Sequence, residues 1–178
     1  ARGYDVEHCQ NVTDVDDKIV NRAKENGEPP LELSRRMGEL ANEHLRAIGC
    51  APPTMMPRVS TTIDGIVEIT QKLIEKGNAY VVDTPQGKDV YYAVRSFAGY
   101  GKLSRRNLDD LRAGASDRLE TGAMDVKKDP LDFALWKAAG KDGFGFDSPW
   151  GKGRPGWHIE CSAMAQKELG EQIDIHGG

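Results

Sequence analysis

The stretch from Ser148 to Met164, SPWGKGRPGWHIECSAM, constrains the fold most strongly, because two incompatible kinds of backbone meet within it. Through Gly156 it contains three glycines and two prolines, which disfavour regular structure and allow a backbone to approach a ligand closely. From Trp157 onward the residues favour a helix. The stretch therefore predicts a rigid loop that leads directly into a helix N-terminus.

The first turns of that helix carry four side chains that can bind a ligand or take part in a reaction, namely Trp157, His158, Glu160 and Cys161. The positive end of a helix dipole stabilises anions, which predicts a lowered pKa and a thiolate at Cys161. A purely structural interpretation is also open, in which Cys161 and Met164 face the core, Trp157 packs and His158 is exposed. Residue types alone do not distinguish the functional interpretation from the structural one.

Composition indicates a globular protein, with 38% hydrophobic and 29% charged residues among 178. A net charge of −4 argues against a generally basic nucleic-acid-binding surface. The three irregularly spaced cysteines favour a reducing, cytoplasmic setting, and no apolar run is long enough to span a membrane. Since the chain starts without methionine and stops on two glycines, we expect both ends to be cut from a longer polypeptide.

The N-terminal region reads as a strand over Tyr4–Gln10 followed by a helix from Asp14. Such a pair is typical of a parallel sheet, in which ligands bind at the carboxyl ends of strands, so we expect Thr13 near a ligand. Two interpretations of the nearby acidic residues stay open. They form either a Mg²⁺ site or, as the capping rules favour, a solvated helix start: Asp14, Asp16 and Asp17.

Periodicity predicts further elements along the chain. Helices are expected from Pro30 to about Ile48 and from Thr61 to Glu75, followed by a hairpin of residues 79–83 and 89–95. Phe133–Lys137 reads as a buried strand that re-enters the main sheet, and Gln172–His176 as a last strand. The second helix has an apolar face expected in the core: Leu33, Met37, Leu40, Ala41, Leu45 and Ile48.

Phe97 to Leu119 reads as a loop with one short helix around Leu108–Ala113. It contains a basic cluster, interpreted as either a solvated loop or a contact for nucleic acid: Lys102, Arg105, Arg106 and Arg112.

The helix-opening stretch resembles the zinc-cysteine segment of cysteinyl-tRNA synthetases, which are class I aminoacyl-tRNA synthetases. Further segments agree with that family in the same order: Asn11–Ile19 (NVTDVDDKI), Tyr100–Ser104 (YGKLS), Lys128–Lys137 (KDPLDFALWK) and Asp174–Gly178 (DIHGG). The resemblance implies an internal fragment of the catalytic domain with an α/β fold. Residues 1–27 and 128–178 would belong to a Rossmann-like nucleotide-binding domain with a parallel sheet, and residues 28–127 to helices and an inserted connective region with the hairpin.

The resemblance also implies an activity, in which L-cysteine is activated with ATP and Mg²⁺ to cysteinyl-adenylate and then transferred to the 3′ end of tRNA(Cys). It further implies that the enzyme is cytoplasmic and monomeric. Zinc would select the thiol over the hydroxyl of serine, because thiolate is the better zinc ligand. Cys161 matches one zinc ligand, and the others lie outside residues 1–178. Substrate-binding positions carried over are Thr13, Trp157, His158, Asp174 and His176.

The His-Ile-Gly-His and Lys-Met-Ser-Lys-Ser signatures of the class do not occur in residues 1–178. No catalytic residue is therefore assigned, and we expect this chain alone to form no adenylate. Two other functions stay open. One is the related ligase that joins cysteine to an amino sugar in mycothiol synthesis, and the other is a non-catalytic module that binds cysteine or a nucleotide.

Overall fold

The computed structural model describes residues 3–105, 126–141 and 143–177. Its main elements, in chain order, are four α-helices and four strands. They are α1 (Asp17–Asn26), α2 (Pro30–Ala47), α3 (Ile63–Glu75), β1 (Ala79–Thr84), β2 (Gly87–Tyr92), β3 (Phe133–Ala138), β4 (Gly153–Pro155) and α4 (Trp157–Leu169). The chain forms two compact units, one from residues 1–66 and 157–178 and the other from residues 67–156. The division into 1–27 with 128–178 and 28–127 stays a prediction about the domains of the family.

The helices predicted within the described residues are confirmed, although α1 begins at Asp17 rather than at Asp14, and local capping explains their limits. Asp16 is the N-cap of α1, accepting a hydrogen bond from the Lys18 backbone N–H at 2.8 Å, and Gly27 ends the helix with φ +68°. Pro30 occupies the first turn of α2, where its missing N–H costs nothing. Asp16 therefore caps α1 as the capping rules predict, and Asp17 lies in its first turn.

The predicted strand over Tyr4–Gln10 is wrong for most of its length. Only isolated parallel bridges form, from Cys9 to Met55 and from Val12 to Arg58. A strand needs a neighbour for its backbone groups, and residues 54–59 supply one only for residues 8–12, so Tyr4 is 81% exposed. Gln172–His176 likewise forms no strand among the described residues.

The sheet of the second unit is antiparallel throughout, with strand order β1-β2-β3-β4. β3 was predicted to re-enter a parallel sheet, but it pairs with β2 of the hairpin, Phe133 lying opposite Tyr92. An apolar run such as β3 predicts burial, and Leu135 and Trp136 are indeed buried, but it does not specify a partner. The described residues thus show a mixed helix and strand fold without a parallel sheet.

The apolar face of α2 is also not core, contrary to the sequence-based expectation. Leu33 and Ser34 are its only buried residues, and the helix turns its less exposed positions Gly38 and Asn42 inward. The remaining apolar side chains are exposed, Ile48 by 76%. Periodicity identifies an apolar face but does not supply the surface that would cover it.

Candidate functional site

The helix α4 begins at Trp157, as the sequence pattern predicts, but the stretch before it is not a loop throughout, because Gly153–Pro155 form β4 and pair with β3. Its Glu160 is 1% exposed, and the Thr13 hydroxyl donates to the Glu160 Oε2 at 3.5 Å. This contact joins the segment that precedes α1 to the first turn of α4. Thr13 therefore lies beside the helix start that the sequence singled out.

The environment of Glu160 favours its neutral form. Burial is the main cause that raises the pKa of Glu160 to about 8; the nearby Asp16 and Asp14 act in the same direction, and the hydrogen bond from Thr13 acts in the opposite one. A carboxyl group held neutral can donate a hydrogen bond, which an ordinary surface glutamate cannot do at neutral pH.

Trp157 and His158 form the exposed part of the same helix start. Their rings lie 5.8 Å apart between centroids at an interplanar angle of 35°. Trp157 is 67% exposed, and partial desolvation lowers the pKa of His158, which favours the neutral imidazole. The pair presents an aromatic surface at the helix start.

Cys161 is a half-buried free thiol; Cys9, also half-buried, and the exposed Cys50 are free as well. The expected lowering of its pKa is wrong: burial raises the pKa of Cys161, and the neighbouring Glu160 raises it further. Cys161 is the fifth residue of α4, and the helix dipole is felt mainly within the first turn, so desolvation dominates there.

The described residues do not fit a complete zinc site. Structural and catalytic zinc sites use three or four protein ligands, whereas no group of three or more potential ligands from His, Cys, Asp and Glu occurs within residues 3–105, 126–141 and 143–177. Cys161 alone therefore cannot hold a zinc ion.

Two other predicted positions are not brought into this site. Asp174 and His176 are exposed and lie in a segment without helix or strand. Of the basic cluster, Lys102 and Arg105 lie in exposed turns, while Arg106, Arg112 and the short helix at 108–113 lie outside the described residues.

Sequence reasoning missed the structural role of Asp14. This residue is 3% exposed and accepts two hydrogen bonds from Ser60, one from the backbone N–H at 2.9 Å and one from the hydroxyl at 2.5 Å. It ties the segment after Val12 to the turn before α3. Helix-capping patterns placed all three aspartates together, because the distant partner Ser60 leaves no local signal.

Comparison with protein families identifies the class to which this arrangement belongs. The family of class I (C) tRNA synthetase catalytic domains matches residues 1–178, and the chain belongs to that family.

Curated relatives narrow the comparison. The chain is 56% identical over its whole length to a protein named cysteine–tRNA ligase from Anaeromyxobacter dehalogenans strain 2CP-C, and covers 36% of that protein. A relative with the same name from Geobacillus thermodenitrificans is 54% identical over 99% of the chain, which covers 36% of that relative. Another, from Lacticaseibacillus casei strain BL23, is 51% identical over 99% of the chain, which covers 37% of that relative. The chain therefore spans about a third of the length of these relatives. Within the described part of the chain, no helix has the length and apolar character needed to cross a membrane.

Proposed function

We propose that this chain is part of the catalytic domain of a cysteine–tRNA ligase. The observation that carries the proposal is identity of 51–56% to proteins of that name, sustained along essentially the entire chain. The loop that delivers Trp157, His158 and Cys161 on one helix start, with Thr13 beside it, agrees with a small-molecule pocket.

In the proposed reaction, the cysteine carboxylate attacks the α-phosphate of ATP and pyrophosphate leaves. The cysteinyl group then passes to a hydroxyl of the terminal ribose of tRNA, and AMP leaves. Such phosphoryl chemistry depends on positioning and charge stabilisation more than on a protein nucleophile. The proposed roles on this chain are binding roles. Thr13 would hydrogen-bond the amino acid, and Trp157 with neutral His158 would cover it.

Asp174 and His176 are proposed to contact the adenylate, and Cys161 to supply one thiolate to zinc. Both proposals depend on residues beyond this chain. Asp174 and His176 are exposed, and the described residues supply no full set of zinc ligands around Cys161. Free thiols at all three cysteines support a reducing, cytoplasmic setting for the enzyme.

The test is cysteine-dependent ATP–pyrophosphate exchange by the protein extended to the length of its relatives, with serine as the competing amino acid. Cys161→Ala is expected to abolish the preference for cysteine, while Cys50→Ala, at an exposed cysteine, leaves it unchanged. Absence of exchange from the folded, zinc-loaded protein would overturn the proposal in favour of a binding module.

The acceptor is tested separately. Adenylate made on the enzyme is offered tRNA or an amino sugar, and transfer to tRNA is the expected result. Transfer to the amino sugar alone would assign the chain to the mycothiol type of ligase.

A further inference from the structure

Glu160 places a carboxyl group at a helix position that an apolar side chain could fill. It is 1% exposed, and α4 buries it together with Ile159, Ala163 and Met164. A buried carboxyl group is costly unless hydrogen bonds compensate for its lost hydration. An apolar residue would pack α4 at lower cost, which indicates that the carboxyl serves the site rather than the core.

The carboxyl of Glu160 acts on the side chain of Thr13, which is only partly buried. Within the described residues, the Thr13 hydroxyl is the hydrogen-bond partner of this carboxyl, at 3.5 Å. Hydrogen bonds in binding sites are often long before the ligand arrives and shorten when it binds. The two other acidic side chains nearby are engaged elsewhere, since Asp14 accepts from Ser60 and Asp16 caps α1.

The direction of this hydrogen bond determines what Thr13 can offer to a ligand. A hydroxyl has one proton and two lone pairs. Because the proton is donated to Glu160, the lone pairs remain for the ligand, and they require a donor. The α-ammonium group of an amino acid has three N–H donors and no acceptor, whereas a carboxylate or phosphate offers only acceptors. The nearby carboxyl groups of Asp14 and Asp16 also favour a cation over an anion.

We infer that Glu160 is a positioning residue for the amino-acid substrate, because it holds the Thr13 hydroxyl with its lone pairs towards the α-ammonium group. Glu160 does not touch the substrate in this arrangement and acts through Thr13. The inference rests on the proposed function, which supplies the amino acid as the ligand. Neither the family description nor the names of the relatives assign a role to Glu160.

The test compares the binding of cysteine and of 3-mercaptopropionate, measured by calorimetry on the protein extended to the length of its relatives. The two compounds share the thiol and the carboxylate, so contacts to these groups cancel and the ammonium group makes the difference. The wild type should bind cysteine at least about tenfold more tightly than 3-mercaptopropionate.

Two substitutions of Glu160 separate positioning from packing. Glu160→Met keeps a side chain of similar size and removes the acceptor, so it should reduce the preference for cysteine at least about threefold. Glu160→Gln keeps an acceptor oxygen and should retain most of the preference. If Glu160 acts through Thr13, adding Thr13→Val to Glu160→Met should cause little further loss.

Glu168 supplies the matched control, because it lies two turns further along α4 and makes no hydrogen bond to Thr13 in the described part of the chain. Glu168→Met should keep the wild-type preference for cysteine. Circular dichroism of each variant checks that the helices remain.

The positioning role is overturned if the wild type does not prefer cysteine, if Glu160→Met keeps the wild-type preference, or if Glu160→Gln loses as much of it as Glu160→Met. Cysteine-dependent ATP–pyrophosphate exchange is measured on the same proteins. Absence of exchange would overturn the ligase proposal, whereas a preference for cysteine that depends on Glu160 would still support the positioning role.

Discussion

Thr13 and Glu160 lie 147 positions apart in the sequence, and the hydroxyl of the first donates to the buried carboxyl of the second at 3.5 Å. The contact links the end of an extended segment to the first turn of α4. It connects two stretches that the sequence marked as functional.

Thr13→Val should destabilise the unit that contains it by about 1 kcal/mol, because it leaves the buried Glu160 carboxyl without this donor. The length of the hydrogen bond places the effect at the low end of the usual range. Thr13→Ser keeps the hydroxyl and should retain most of the stability. Urea unfolding of both variants measures the difference, and a Thr13→Val variant as stable as the wild type would contradict the prediction.

Alkaline pH should destabilise the sheet unit through its tyrosines. Burial raises the pKa of Tyr80 to about 12, and its hydroxyl donates to Asp132 at 2.7 Å. An unfolded tyrosine titrates near a pKa of about 10, so the folded state holds the proton more strongly. This contribution is complete below pH of about 10 and is lost as the pH rises toward the folded pKa.

Tyr80→Phe separates this effect from general alkaline unfolding. The variant should be less stable at pH of about 8, because Asp132 is buried and loses a donor, yet its stability should fall less steeply above pH of about 10. Tyr4→Phe, at an exposed position, is the control. Parallel stability curves for wild type and Tyr80→Phe would contradict the prediction.

Two glycines should respond to alanine in opposite directions. At Gly156 an added Cβ would overlap the Ala134 carbonyl of β3, so Gly156→Ala should cost about 3 kcal/mol or more. At Gly38, inside α2, the nearest atom to an added Cβ is the Arg58 Nη2 at 3.8 Å, so Gly38→Ala should stabilise by about 1 kcal/mol. Thermal melts of both variants test the pair, and a destabilised Gly38→Ala would show that the inner face of α2 is tighter than these distances indicate.

Zinc should not remain on the 178-residue chain after chelation, because one thiol cannot complete a site and the described residues add no group of three ligands. Metal analysis after dialysis against a chelator should give well under one zinc per chain, and Cys161→Ser should give the same. Stoichiometric zinc on the wild type and its loss in Cys161→Ser would contradict this.

Local sequence determined a large part of the chain. Asp16, Gly27 and the pair Pro29 and Pro30 specified helix limits, and β-branched and aromatic residues on both sides of a turn specified the hairpin, because caps and turns act over a few residues. The glycine and proline loop before Trp157 predicted the start of α4 for the same reason. Motif resemblance identified the family without any structure.

Tertiary structure decided what depends on distant partners. It placed β3 beside the hairpin, left the apolar face of α2 open, and raised the pKa of Cys161 where the helix dipole predicted lowering. It also buried Glu160 against Thr13 and tied Asp14 to Ser60. Strand pairing and desolvation are set by which surfaces meet, and periodicity along one segment contains no information about the segment that lies against it.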